Sequence, residues 1–235
     1  MQIDALLFDK DGTLFEFAAT WEAWALAFLT RASGGDRALA SQAGAAIGFD
    51  LEARSFSPDS IAIAGTPIEI ADALLASFPH MTGRSIVDLI NEEASRAPQC
   101  EAVPLRPFLT GLKARGLKLG VATNDAEDPA LAHLTAAGVR DLFDIVMGCD
   151  SGFGAKPAPG QQLAFADRTG IDPARIAMVG DSLHDLIAGR AAGMVSIGVL
   201  TGMASERDLR PHAAEVFPDI GHIPDWLNTL QQQKE

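Results

Sequence analysis

The chain has 235 residues, 48% of them hydrophobic, with 31 acidic against 18 basic side chains and a formal charge of −13. This is large for one domain and short for two full ones, so a core carrying an inserted subdomain is the natural division. The acidic balance argues against a nucleic-acid or anionic-membrane partner, since either needs a basic face to neutralise phosphates.

No run approaches the ~20 apolar residues of a membrane span, and no basic segment followed by an apolar one opens the chain. Cys100 and Cys149 have no metal-type spacing and no nearby histidine. Both read as buried small hydrophobes or inert thiols, and a reducing cytoplasm is the expected compartment.

Residues 3–8 form an apolar strand that closes in Asp9-Lys10-Asp11-Gly12-Thr13. Residues i and i+2 of a strand share a side, so Asp9 and Asp11 are expected together at its tip, with Lys10 turned to the other side. Carboxylates this close resist joint ionisation and call for a divalent cation or a shared proton. Residues 18–97 then break any strand alternation and read as helical throughout. Trp21, Trp24, Ala25 and Phe28 repeat at i, i+3, i+4 and i+7, an apolar stripe that predicts a helix packed into this segment's own core. Thr66-Pro67-Ile68-Glu69 is a capping box ahead of Ile70, Ala73 and Leu74, and Ile86, Leu89 and Ile90 mark a last helix. Pro98, Pro104 and Pro107 punctuate the return.

A second strand, residues 117–122, ends in Thr123-Asn124-Asp125. Asp128-Pro129 begins a helix that Gly138 stops, and residues 145–147 form a short strand before a Gly-rich loop leading to Lys156-Pro157. A helix from Pro159 to Thr169 precedes Gly170. Strand 176–179 then runs through Gly180 into Asp181-Ser182, with Asp185 four residues past Asp181, and a helix after Asp185 stops near Gly193. Residues 194–199 are the last strand candidate, and a polar tail, residues 231–235, is expected to fray. Strands alternating with helices predict an α/β domain with a mostly parallel sheet, and the polar motifs fall at strand carboxyl ends, where such sheets bind ligands.

Four motifs in this order resemble those of the haloacid dehalogenase (HAD) superfamily of phosphohydrolases: Asp9-Lys10-Asp11-Gly12-Thr13, Thr123-Asn124, Lys156-Pro157, and Gly180-Asp181-Ser182 with Asp185. The resemblance covers nearly the whole chain and is strongest to the phosphoglycolate phosphatase type with a helical cap. It implies a Rossmann-like parallel core, residues 1–17 and 98–235, with an inserted α-helical cap, residues 18–97. It also implies that the first and fourth motif strands lie side by side, so that Asp9 faces Asp181.

On that resemblance Asp9 is the nucleophile that forms an aspartyl-phosphate, and Asp11 protonates the leaving alkoxide and then activates water. Thr123 and Lys156 contact the transferring phosphoryl oxygens, and Asn124 helps place the phosphate. Mg²⁺ is held by Asp9, Asp181 and the main-chain carbonyl of Asp11, with Asp185 supporting a metal-bound water or Lys156. Ser182 reads as a helix cap and His184 as an exposed or structural residue. Asp11 argues against dehalogenase and phosphonatase chemistry, whose leaving groups need no such acid. The expected reaction is hydrolysis of a small phosphorylated metabolite by a monomer or homodimer, with a sugar phosphomutase or a silent phosphometabolite-binding module as alternatives. Arg31, Arg37, Arg54, Arg84 and Arg96 are candidate readers of a second anionic group, although each reads first as a solvated surface charge. Phe15-Glu16-Phe17 departs from the small or acidic residues that many relatives carry there.

Overall fold

A computed structural model describes residues 2–232. Among the described residues eight strands form: β1 (Ala5–Phe8), β2 (Phe49–Asp50), β3 (Ser55–Phe56), β4 (Lys118–Ala122), β5 (Ile145–Met147), β6 (Ile176–Gly180), β7 (Val195–Val199) and β8 (Glu215–Phe217). Six of them make one sheet in the order β5-β4-β1-β6-β7-β8, parallel at every junction. The first and fourth motif strands are therefore neighbours, as the resemblance implies.

Strand alternation divides the sheet's side chains between two cores. Leu6, Phe8, Leu119, Val121, Ala177 and Val179 face one side, and Ala5, Leu7, Ile176 and Met178 the other. Helices cover both sides, which is why the strands read as continuous apolar runs rather than alternating ones. The helices are α1 (Phe17–Ala32), α2 (Arg37–Ala46), α3 (Pro67–Leu74), α4 (Gly83–Ala94), α5 (Leu105–Ala114), α6 (Glu127–Ala136), α7 (Gly160–Thr169), α8 (Leu183–Ala191), α9 (Glu206–Leu209) and α10 (Ile223–Gln232). Leucines of α5 and Trp226 of α10 pack on the first face, and Phe165 of α7 on the second.

Helices α1 to α4 pack around a separate apolar cluster that includes Trp24, Phe28, Phe49, Ile70, Phe78, Ile86 and Ile90. The predicted aromatic stripe lies on α1 and faces this cluster, with the Trp24 and Phe28 rings stacked 5.3 Å apart. Thr66 caps α3 as its sequence indicates, and Glu69 returns a bond to the Thr66 amide. The segment is not helical throughout, however. Phe49–Asp50 and Ser55–Phe56 pair as an antiparallel hairpin, because Phe49 and Phe56 bury their rings against each other at 4.8 Å. Strand β8 is likewise absent from the sequence reading, since its three residues carry too short a pattern to stand out.

Two helices begin earlier than expected: α6 starts at Glu127 rather than at Asp128-Pro129, and α8 starts at Leu183, so that Asp185 lies inside it. Of the polar tail, Gln231 and Gln232 continue α10, and residues 233–235 lie outside the described residues. Cys100 is exposed and Cys149 half-buried, which corrects the expectation that they are buried. Burial and nearby acids push the Cys149 thiol up to about 12, an inert state. Among the described residues no helix is long and apolar enough to cross a membrane.

Candidate active site

Every motif residue sits at the carboxyl edge of the parallel sheet. Strand β1 delivers Asp9 and Asp11, β4 delivers Thr123, Asn124 and Asp125, the loop after β5 delivers Lys156, and β6 leads into Asp181 and α8. The Asp9 amide donates to the Val179 carbonyl at 2.8 Å, extending the β1–β6 ladder by one bond and fixing Asp9 beside Asp181. Carboxylate oxygens of Asp9, Asp181 and Asp185 lie within 4.8 Å of one another, and all three residues are buried.

Two glycines make this proximity possible. Gly12 has φ +76°, and a Cβ there would lie 2.4 Å from Asp181 Oδ2; at Gly202, in the loop after β7, it would lie 1.6 Å away. Side chains at either place would collide with the carboxylate. Thr201 ties the two loops together through its hydroxyl, which donates to the Gly12 carbonyl at 2.6 Å.

Lys156 supplies the positive charge. Its Nζ donates to Asp9 Oδ1 at 2.6 Å, to Asp185 Oδ1 at 2.6 Å and to the Ala122 carbonyl at 2.8 Å. Burial opposes its charge, but Asp185 and Asp9 outweigh that and hold its proton more tightly than in water. Asp185 also accepts from the amide and hydroxyl of Ser182, at 3.1 and 2.6 Å, so Ser182 caps α8 as its sequence position indicates. Thr123 is buried at the cavity with its Oγ1 accepting from the Asp125 amide at 3.1 Å, which leaves the hydroxyl proton free to donate.

Burial, with Asp185 and Asp11 nearby, pushes the Asp9 carboxyl up to about 7 despite Lys156. Burial and repulsion from Asp185 and Asp9 raise Asp181 well above the ordinary carboxylate range. Together the three oxygens are a hard donor set short of positive charge, which is the chemistry a divalent cation such as Mg²⁺ satisfies.

Lys10 corrects the sequence reading. Strand β1 ends at Phe8, and the chain then turns, with Leu14 and Phe15 amides donating to the Lys10 carbonyl at 2.9 and 3.1 Å. Alternation therefore no longer governs Lys10. Its fully buried ammonium meets Asp11 at 2.7 and 2.8 Å, Asp125 at 3.2 Å and His133 Nδ1 at 2.9 Å. Since an ammonium only donates, His133 Nδ1 accepts, and its Nε2–H donates to the Ala94 carbonyl at the end of α4, 2.6 Å away. Burial and Lys10 hold His133 neutral, down to about 4. Burial pushes Asp125 up to about 6 against the pull of Lys10.

Asn124 ties the second motif to the third. Its Nδ2 donates to the carbonyls of Lys156 at 2.9 Å and Ala64 at 2.8 Å, and its Oδ1 accepts from the Lys156 amide at 2.8 Å. Both amide hydrogens are taken, so the side chain clamps the Lys156 loop at the edge of the cavity that it lines. His184, read as exposed or structural, is half-buried and lines the cavity. The sequence offered no role for Asp125, His133 or Gly202, and it read Trp21 as part of the apolar stripe of α1; the strand run ending in Thr-Asn-Asp was the signal for Asp125, and His133 and Gly202 lie in no motif.

The cavity between the sheet edge and the α1–α4 segment holds about 40 Å³, lined by Asp9, Asp11, Thr123, Lys156 and Asp181 below and by Trp21, Ile63, Pro67 and Ile90 above. A volume of that size accommodates a few waters and no phosphate ester.

A parallel sheet with helices on both faces, four polar motifs at its carboxyl edge and a buried aspartate trio define a doubly wound α/β core with an acidic site at its strand tips. The haloacid dehalogenase-like hydrolase family model matches residues 3–193, and the chain belongs to that family. It is 40% identical over 125 residues to a phosphoglycolate phosphatase of Neisseria meningitidis, covering 52% of this chain and 53% of that protein. It is 34% identical over 101 residues to the pyrophosphatase PpaX of Bacillus pumilus, covering 43% and 47%. The chain thus spans about half the length of the curated relatives it matches. Among solved structures, a predicted phosphoglycolate phosphatase from Haemophilus somnus superposes with a TM-score of 0.73 at 20% identity, covering 96% of this chain and 98% of that one. A β-phosphoglucomutase from Clostridium difficile gives 0.68 at 19% identity, covering 97% and 99%, so the fold is shared by both kinds of protein.

Proposed function

We propose that the protein is a metal-dependent phosphatase that hydrolyses small phosphate monoesters through an aspartyl-phosphate on Asp9. The observation that carries the reading is the buried trio Asp9, Asp181 and Asp185 with Lys156 bonded to two of them. Such a site suits a phosphoryl group, whose transfer depends on positioning and charge neutralisation. Asp9 attacks phosphorus, the ester oxygen leaves, and the carboxyl–phosphate bond is later broken by water. Asp11 donates a proton to the departing oxygen and removes one from that water; Lys10 holds both its oxygens in place. Thr123 and Lys156 bind the phosphoryl oxygens.

Asp9 and Asp181 would hold Mg²⁺, with Asp11 contributing its main-chain carbonyl and Asp185 supporting the site through Lys156. When bound, the ion offsets the repulsion between carboxylate and phosphate and polarises the phosphoryl group. Residues 18–97 act as a cap that swings away to admit substrate, because the closed cavity is too small for one. The substrate is a small phosphorylated metabolite, and the cytoplasm is the proposed compartment.

The test is phosphate release from a panel of monoesters with and without Mg²⁺, using Asp9→Asn as the matched control. Release that needs both the metal and Asp9 supports the reading. Isomer exchange of sugar phosphates without net release points to a mutase, and affinity without turnover to a binding module.

A further inference from the structure

His133 lies on α6, outside every motif, and is buried. Each of its ring nitrogens is committed. Nδ1 accepts from Lys10 Nζ at 2.9 Å, and Nε2–H donates at 2.6 Å to the carbonyl of Ala94, the last residue of α4. Carbonyls at a helix end lack partners within the helix and take side-chain donors of this kind. The imidazole also stands edge-on to the Phe15 ring, 6.5 Å between centres.

These three neighbours join the cap to the catalytic loop. Phe15 lies on the linker that leads into residues 18–97. That linker pairs with the returning one, the Glu16 amide donating to the Cys100 carbonyl and the Ala102 amide to the Leu14 carbonyl, each at 2.9 Å. Ala94 ends the cap's last helix just before the return. Lys10 immediately precedes Asp11 and holds its carboxylate. One imidazole therefore touches both ends of the cap and the cation that orients the acid.

An ammonium has three hydrogens to give. Asp11 and Asp125 take it from two sides, at 2.7 and 3.2 Å. Two anchors leave the head free to pivot about the line between them, and Asp11 would move with it. A third acceptor on another element removes that freedom, and a neutral one does so without adding another negative charge to the buried pair.

We infer that His133 is a positioning residue for Asp11: braced on the Ala94 carbonyl of the cap, it fixes the Lys10 ammonium and through it the orientation of the acid toward the leaving oxygen. This rests on the phosphatase reading, with Asp11 as its acid, and deepens it.

The test compares kcat/KM for ethyl phosphate and acetyl phosphate, which are similar in size. Ethoxide needs a proton in order to leave, and acetate does not. Because kcat/KM covers the steps up to loss of the leaving group, the ratio of the two values reads the acid. In His133→Leu, which loses both bonds, the value for ethyl phosphate should fall about tenfold or more beyond any fall for acetyl phosphate. His133→Gln, whose amide oxygen and nitrogen can serve Lys10 and Ala94 as the ring nitrogens do, should return the ratio toward the parent's. His133→Asn, which reaches Lys10 but is too short for Ala94, should shift the ratio in the same direction as His133→Leu. Equal falls for both esters in His133→Leu would mark a structural role and overturn the inference. Should that variant not fold, the amide pair decides: a ratio shifted in His133→Asn and kept in His133→Gln supports the inference, and equal ratios in the two refute it. If the parent protein releases phosphate from no ester at all, the phosphatase reading fails and takes this inference with it; an unmoved ratio defeats the role of His133 alone.

Discussion

Replacing Lys10 by Met removes the one cation between Asp11 and Asp125 while keeping most of the side chain's volume. The two carboxylates are 12% and 2% exposed, and Lys10 is wholly buried. Removing one member of a buried ion pair costs about 3–5 kcal/mol because the partner stays behind uncompensated. Asp125, already pushed up to about 6, can relieve part of this by taking a proton, so the loss should approach the upper figure at pH 8 and the lower one near pH 5.5. For a chain of this length each kcal/mol moves the midpoint by about 2–4 °C, giving a fall of roughly 6–20 °C. Asp11 also loses the contact that orients both its oxygens, so kcat should drop about 10- to 100-fold with a smaller change in KM. Thermal denaturation at the two pH values and steady-state kinetics read these effects. Adding Asp125→Asn to Lys10→Met should restore part of the stability, with a coupling above about 1 kcal/mol. A Lys10→Met protein that melts within 2 °C of the parent, roughly the span of 1 kcal/mol or less, and keeps its kcat would refute the reasoning.

Other outcomes follow from the same geometry. Asp9 and Asp125 titrate near about 7 and 6, above the ordinary carboxylate value, so the folded state keeps protons that the unfolded chain has released. The metal-free protein should therefore lose stability as pH rises from about 6.5 to 8, and Mg²⁺ should flatten the slope by replacing the protons as counter-charge. His133, lowered to about 4, acts in the opposite sense only below about 6.5, which is why the window starts there; a midpoint that climbs with pH in this window contradicts the assignment. Gly202→Ala places a methyl group on Asp181 and should raise the Mg²⁺ concentration for half-maximal activity about tenfold or more, measured by metal titration. Asn124→Ala releases the Lys156 loop, and faster amide exchange around residue 156 should accompany a fall in kcat.

Much of this site was legible because each motif combines two local signals, an apolar run that must be a buried strand and a polar cluster that its end must present. That pairing located Asp9, Thr123, Lys156 and Asp181 without tertiary information, and the β1–β6 adjacency implied by the resemblance brought Asp9 to Asp181. Lys10 was misread because the strand rule was carried two residues past the strand's end, into a turn where the backbone reverses. The bonds of Asn124 were out of the sequence's reach for a different reason, since nothing local reveals that Ala64 and Lys156 both lie within reach of its amide. His133 meets the site through a pairing with Lys10 123 residues away, and Gly202 through its close approach to Asp181 and the Thr201–Gly12 link, which spans 189 residues. The small hairpin β2–β3 escaped notice because two-residue strands have no period to detect.

The central claim is that Asp9 carries the phosphoryl group. Rapid quenching of the protein during turnover of a phosphate ester, followed by peptide mass mapping, tests it directly. A single acid-stable phosphoryl adduct on Asp9 that appears and decays with turnover, and that Asp9→Asn lacks, is the predicted result; phosphate release with Asp9 unmodified throughout, or an adduct on another residue, would contradict it.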